Sequence, residues 1–217
     1  MSNEKTSKRA VIYTGGECFP TLVFERPRAG DLILAADSGY RTAQKLGIVP
    51  HILLGDFDSL GEPQNVPESV EIIRVPAEKD VTDTQLAVRI ALERGATEIF
   101  IVGGFGSRPD HLLSNFAILE MLARKGIPAI MLNGKNRARF LASGSVTIAR
   151  DDRFRYLSLI TANKITTGVT ISGCRYPLQN ATLHRTHQFA VSNEIINPFA
   201  TISTASGGLW ILEVAEG

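Results

Sequence analysis

Apolar runs in the N-terminal part of the chain break off into turns of Gly, Asp or Asn, and this pattern restricts the fold more than any other. Ala10-Val11-Ile12-Tyr13-Thr14 runs into Gly15-Gly16, and Leu32-Ile33-Leu34-Ala35-Ala36 into Asp37. Ile52-Leu53-Leu54 runs into Gly55, Ile99 to Val102 into Gly103, and Pro128 to Leu132 into Asn133-Gly134. Between them lie helical stretches at Tyr40 to Leu46, Thr84 to Arg94 and His111 to Lys125. Apolar runs without alternation, separated by helices, describe parallel strands buried on both faces. Open sheets of this kind bind ligands beyond the carboxyl ends of their strands, at a topological switch point. The expected fold class is therefore α/β, with a doubly wound, mostly parallel sheet.

Chemistry collects at those strand ends. Gly55-Asp56-Phe57-Asp58-Ser59 follows one apolar run directly. In extended backbone, residues i and i+2 point the same way, so Asp56 and Asp58 are expected to face one point. Two carboxylates that close repel unless a cation lies between them or one is protonated. Mg²⁺, held by one or two carboxylates plus substrate phosphates, is the usual cation. A solvated turn is the alternative, since Asp and Gly are common turn residues. A second acidic pair, Lys79-Asp80-Val81-Thr82-Asp83, opens a helix. Thr82 followed by Gln85 fits a capping box with Thr82 as N-cap. The macrodipole accounts for Asp83 alone, but not for Lys79 beside Asp80 after the strand-like Val70 to Val75. Four carboxylates and a lysine at successive strand ends read as a metal–phosphate site.

The third cluster is Gly103-Gly104-Phe105-Gly106-Ser107-Arg108-Pro109-Asp110-His111. Glycines let backbone N–H groups approach an anion, and Arg108 adds a planar fork of donors suited to phosphate. Pro109 fits a first helical turn, and Ser107 with Asp110 resembles a capping box. His111 reads as an acid–base partner of Asp110 or as a structural histidine at a helix start. The cluster is neither a Walker A loop nor the dinucleotide fingerprint G-x-G-x-x-G.

From Arg137 onward the texture changes to Thr, Ser, Ile and Val in short runs, punctuated by turns such as Ser172-Gly173, Asn197-Pro198 and Ser206-Gly207-Gly208. This reads as a smaller all-β sandwich or barrel. The expected division is residues 1–139, with 1–8 a polar tail, and residues 140–217. Arg137, Arg139, Arg150, Arg153 and Arg155 read as a solvated basic face, with phosphate contact the alternative. The chain has 217 residues, and its 23 basic and 22 acidic side chains leave a net charge of +1. That balance argues against a nucleic-acid binder. No apolar run approaches the ~20 residues that span a bilayer, and Met1 to Arg9 lacks the form of a signal peptide. Cys18 and Cys174 are too far apart to suggest a zinc pair, and two cysteines make no disulfide framework. The expected setting is a reducing cytoplasm.

Taken together, these motifs resemble the thiamine pyrophosphokinase family. The likeness rests on Ala36-Asp37-Ser38-Gly39, Gly55 to Ser59, Lys79 to Asp83 and Gly103 to His111, in that order, with Leu113-Ser114-Asn115 continuing the last. It extends to Tyr176-Pro177-Leu178, Ser192-Asn193-Glu194 and Trp210, and departs at Ser38, where glycine is common. The resemblance implies transfer of pyrophosphate from ATP to thiamine, giving thiamine diphosphate and AMP. It assigns residues 1–139 to ATP binding and catalysis, and 140–217 to thiamine binding and dimerisation. Asp56, Asp58 and Asp80 become the Mg²⁺ site, with Asp83 beside them as a further catalytic carboxylate. Lys79 and Arg108 would face the phosphates, and Asp37 and Ser38 the ribose or a phosphate. Asp110 would contact thiamine or position Arg108, and Ser192 and Asn193 match a segment near thiamine. Trp210 is the only tryptophan. Strand alternation sets it opposite Leu209 and Ile211, where it suits the cationic ring of thiamine or serves as core. A homodimer is implied. Two other readings stay open: a pyrophosphokinase for a pterin-like alcohol, which a substrate panel separates, and a nucleotide sensor without turnover, which AMP release would exclude.

Overall fold

Strand β1 (Arg9–Tyr13) is buried at every position, as expected of a central strand with no solvent face. In chain order there follow β2 (Leu32–Ala36), α1 (Gly39–Lys45), β3 (Ile52–Gly55), β4 (Glu71–Arg74), α2 (Asp83–Glu93), β5 (Glu98–Val102), α3 (Pro109–Arg124) and β6 (Ala129–Leu132). These come from a computed structural model that describes residues 8–57, 65–76, 78, 80–106 and 108–216. The chain divides into two compact units. The first contains residues 1–118 and 127–134; the second contains 119–126 and 135–217.

In the first unit the six strands lie in the order β4-β3-β2-β1-β5-β6, and every pairing is parallel. Val11 and Tyr13 of β1 pack with Ala35, Leu53, the Tyr40 and Ala43 side chains of α1 and Leu46 at its C-cap. Ala10 and Ile12, which point the other way by alternation, are also fully buried, so both faces of the strand are covered. Each buried Val, Leu or Ile among them contributes about 1.5–3 kcal/mol by leaving water. The register of the first strand is further held by Arg9, whose Nε donates to Asp31 Oδ2 at 3.0 Å. The chain order runs outward from β1 through β2, β3 and β4, then returns to the other side of β1 with β5. The switch point therefore lies between β1 and β5.

The second unit holds β7 (Asn136–Leu141), β8 (Gly144–Ala149), β9 (Tyr156–Thr161), β10 (Ile165–Ser172), β11 (Leu178–His184), β12 (Phe199–Thr204) and β13 (Leu209–Val214). Strand β13 pairs antiparallel with both β7 and β9, and β11-β10-β12-β8 form a second antiparallel sheet. Leu157, Leu159, Leu209 and Ile211 from the first set and Ile148, Val169, Leu183 and Ile202 from the second share one core. The all-β module is thus a sandwich.

The arginine run is only partly a solvated face: Arg150 and Arg155 are exposed, whereas Arg137, Arg139 and Arg153 are not. Arg137 and Arg139 are largely covered, and both close on Glu213, at 2.5 and 2.7 Å. Glu213 is itself 2% exposed, on the inward-pointing side of β13. Arg153 pairs with Asp151 at 2.6 Å, and Arg150 with Asp152. The carboxylates that neutralise the run lie partly on a strand some seventy residues away, which local charge patterning cannot show. Both cysteines are free. Burial pushes the Cys174 thiol up to about 11 and raises Cys18 as well, so neither is a thiolate near neutral pH.

Candidate active site

The carboxyl ends of β1, β2, β3 and β5 surround a crevice of about 440 Å³ in the first unit. It opens at the switch point, where two glycine turns meet. A Cβ on Gly16 would stand 2.1 Å from the Gly103 carbonyl oxygen, and one on Gly103 (φ +83°) 2.7 Å from that of Thr14. Only glycines permit this approach. The Thr14 N–H donates to the Val102 carbonyl at 2.9 Å, and the Thr42 hydroxyl to the Thr14 carbonyl at 3.2 Å. Asn115 on α3, buried, donates from Nδ2 to the Gly104 carbonyl at 2.8 Å and so ties the second turn to the helix.

Asp37, Ser38, Asp56, Asp83 and Arg108 all line this crevice. Asp83 is the first residue of α2, capped as expected by Thr82, whose hydroxyl accepts from the Gln85 N–H at 3.2 Å. Gly95 follows the helix end with φ +86°. Asp80 is exposed and is not part of the lining among the described residues. Asp58, Lys79, Ser59 and Ser107 lie outside the described residues. The extended backbone on which the alternation of Asp56 and Asp58 rests does not run through Asp56 and Phe57. Strand β3 ends at Gly55, and Phe57 turns into the left-handed region (φ 63°) with its ring buried in the core. The core takes the aromatic ring, and the backbone leaves the extended form to let it.

Arg108 precedes α3, and its carbonyl accepts from the Leu112 N–H at 3.1 Å. The helix starts at Pro109; the cap expected at Ser107 lies outside the described residues. The Arg108 guanidinium grips Asp110 with Nη2 at 2.6 Å and Nε at 3.3 Å. This hydrogen-bonded pairing lowers the Asp110 carboxyl to about 2. The contact sets the Asp110 carboxylate directly against the Arg108 guanidinium. His111 lines the crevice too. Thr14, Gly15, Gly16 and Asn115 were not singled out as site residues from sequence; the Gly-Gly ending of β1 was the available signal.

The other sequence-expected residues lie in the second unit. Ser192 is exposed, with φ 56°. The Asn193 amide is largely committed to structure: Oδ1 accepts from the Tyr176 and Glu194 N–H groups, and Nδ2 donates to the Tyr176 carbonyl at 2.7 Å. Trp210 is half-buried on the face of β13 opposite Leu209 and Ile211, as alternation requires. Its ring meets Phe140 edge-on at 5.8 Å.

The crevice offers hard oxygen donors, as a magnesium ion prefers. Among the described residues no three acidic, histidine or cysteine side chains converge. Asp37 adds a buried carboxylate with one oxygen unanswered.

The family profile "Thiamin pyrophosphokinase, catalytic domain" matches residues 28–131, and "Thiamin pyrophosphokinase, vitamin B1 binding domain" matches 145–209. The chain is 32% identical over 188 residues to thiamine pyrophosphokinase of Bacillus subtilis, covering 85% of this chain and 88% of that one. A crystal structure of thiamine pyrophosphokinase from Bacillus subtilis is similar with a TM-score of 0.87 at 27% identity, over 97% of this chain and 100% of that chain. One from Geobacillus thermodenitrificans gives 0.83 at 26%, over 96% and 98%. The ordered motifs, the crevice at the β1/β5 switch point and these matches agree: the chain belongs to the thiamine pyrophosphokinase family.

Proposed function

We propose that this protein transfers pyrophosphate from ATP to the hydroxyethyl group of thiamine, giving thiamine diphosphate and AMP. The observation that carries this is the crevice at the β1/β5 switch point, where close-packed glycine turns, Asp56, Asp83 and Arg108 converge. Family membership supplies the substrates. The thiamine oxygen forms a bond to the β-phosphorus, and the bond from that phosphorus to the oxygen bridging to the α-phosphate breaks. AMP leaves with the bridging oxygen. Mg²⁺, when bound, neutralises phosphate charge and orients the chain for in-line displacement. Asp56, with Asp58 and Asp80, is assigned to hold it. Asp83 is assigned to orient the hydroxyl or take its proton. Arg108 and Lys79 face the phosphates, and Ser38 the ribose or a phosphate. The second unit carries the thiamine contacts, with Trp210 covering the cationic ring and Ser192 nearby. A homodimer in a reducing cytoplasm completes the reading. No helix among the described residues is long and apolar enough to cross a membrane.

The test is direct. Purified protein incubated with ATP, Mg²⁺ and thiamine is expected to form thiamine diphosphate and AMP in equal amounts, and to stop when EDTA is added. ADP with thiamine monophosphate would instead mean transfer of a single phosphoryl group, and would overturn the assignment.

A further inference from the structure

At the end of β2 a carboxylate is buried with no donor for one of its oxygens. Asp37 is 7% exposed, and its Oδ1 accepts no hydrogen bond. The backbone there is already in use: the N–H donates to the Leu54 carbonyl at 2.7 Å, and the carbonyl accepts from the Tyr40 N–H at 3.0 Å. The side chain does not cap α1, whose N-cap is Ser38. Its φ of +46° is uncommon for a residue other than glycine. Local folding therefore gives no reason for a carboxylate at this position. A buried charge without partners is among the costliest arrangements a fold can hold.

The neighbours point to what answers it. Parallel pairing sets Ala36 opposite Leu54, so Asp37 comes beside Gly55, and Asp56 follows at once. Gly55 has φ +151°, and a Cβ there would press to 3.2 Å from both Cα and Cβ of Asp37. The glycine leaves Asp37 its place against the end of β3. Two carboxylates thus end adjacent strands and line one crevice, where like charges favour a cation between them. Among the described lining residues the one guanidinium, Arg108, is engaged by Asp110. A phosphate oxygen would be repelled by Asp37. A ribose hydroxyl would supply a hydrogen bond but no charge. A divalent cation supplies the charge, with water in its shell as donor.

We propose that Asp37 is a direct ligand of the divalent cation, which it holds with Asp56 before nucleotide arrives. This rests on reading the crevice as the metal-dependent pyrophosphokinase centre. The test is a titration of Mn²⁺ alone into nucleotide-free protein, followed by electron paramagnetic resonance, with thermal melts in the presence and absence of Mg²⁺. Wild-type protein is expected to bind Mn²⁺ and to melt higher with Mg²⁺. Asp37→Asn keeps the shape and removes the charge. It is expected to weaken Mn²⁺ binding at least about tenfold, to lose the Mg²⁺-induced rise, and to melt no lower than wild type without metal. Unchanged Mn²⁺ affinity would overturn the proposal. So would a lower metal-free melting temperature, which would make Asp37 a structural anchor. Intact Mn²⁺ affinity with lost discrimination between ATP and 2′-deoxy-ATP would assign the carboxylate to the ribose instead. Wild-type protein that makes thiamine diphosphate yet binds no Mn²⁺ without ATP would also defeat it, while leaving the activity standing. Mn²⁺ binding that Asp37→Asn weakens, in a protein that forms no product, would uphold the cation site and refute the activity.

Discussion

Arg108 and Asp110 grip one another across a single residue at the mouth of the crevice, and both side chains are mostly in water. Solvent screens such a pair, so its value is in geometry: the fork keeps the guanidinium of a mobile side chain near the start of α3. Its pH dependence follows from the Asp110 carboxyl, lowered from 3.8 to about 2 by the hydrogen bonds from Arg108. A depressed acid contributes above its unfolded value and ceases to as pH falls through its folded one. The pair is therefore intact at and above about pH 4 and dissolves towards pH 2. An NMR titration of the Asp110 carboxyl is expected to give a midpoint near 2 in wild type and a return towards 3.8 in Arg108→Ala. A midpoint that ignores Arg108 would remove Asp110 from the role of positioning residue. In sequence the pairing was one reading among several: Asp110 fitted a cap, an acid–base partner for His111, a thiamine contact and a group that positions Arg108. Spacing of two residues at a helix start does not say which way an arginine turns.

At the scale of elements, the strand ends were legible and their meeting was not. Continuous apolar runs gave away β1, β2, β3, β5 and β6, because a strand buried on both faces has no polar alternation to hide it. The Thr82 cap was legible for a similarly local reason. The nearness of Gly15-Gly16 to Gly103-Gly104 is not local: it follows from β5 returning beside β1, which only topology decides. Gly15 makes the point testable. A Cβ on Gly15 would stand 1.9 Å from the Ser38 hydroxyl oxygen and 3.1 Å from its Cβ, with the Gly39 nitrogen next at an ordinary 3.7 Å. The clash is thus with the short side chain of Ser38 alone. Gly15→Ala is expected to cost about 1–3 kcal/mol by overpacking and to weaken ATP binding. Adding Ser38→Gly should recover most of both losses, since it removes the atoms in the way. Calorimetric melting and nucleotide titration on both single variants and the double variant measure the coupling. Additive losses would show that the two residues do not share the space.

For the molecule as a whole, the second unit raises the question of what covers its apolar exterior. Its sandwich core is closed, yet Tyr176, Phe199 and Ile196 are 63%, 58% and 51% exposed. The segments that carry them touch through their backbones. The Ile196 N–H donates to the Gly173 carbonyl at 3.0 Å. A Cβ on Gly173 would touch the Phe199 carbonyl oxygen, and Asn193 ties down the backbone of Tyr176. Two segments, about 173–176 and 193–199, thus run side by side and carry three exposed large apolar side chains, next to the Ser192-Asn193-Glu194 stretch assigned to thiamine. Apolar exposure on adjoining segments marks an interface more often than single exposed residues do. The proposed homodimer would bury it, and a symmetric pair would set the same patch against itself or against its partner's thiamine segment. Phe199→Glu places a charge there without disturbing the core, because the Phe199 side chain is outside it. Sedimentation at micromolar concentration is expected to show a dimer for wild type and a shift towards monomer for the variant. Thiamine affinity should fall in step, while ATP binding, assigned to the first unit, should stay within about twofold. A wild-type monomer with full activity would refute the dimer. A Phe199→Glu dimer with unchanged sedimentation and thiamine affinity would place the interface on another surface.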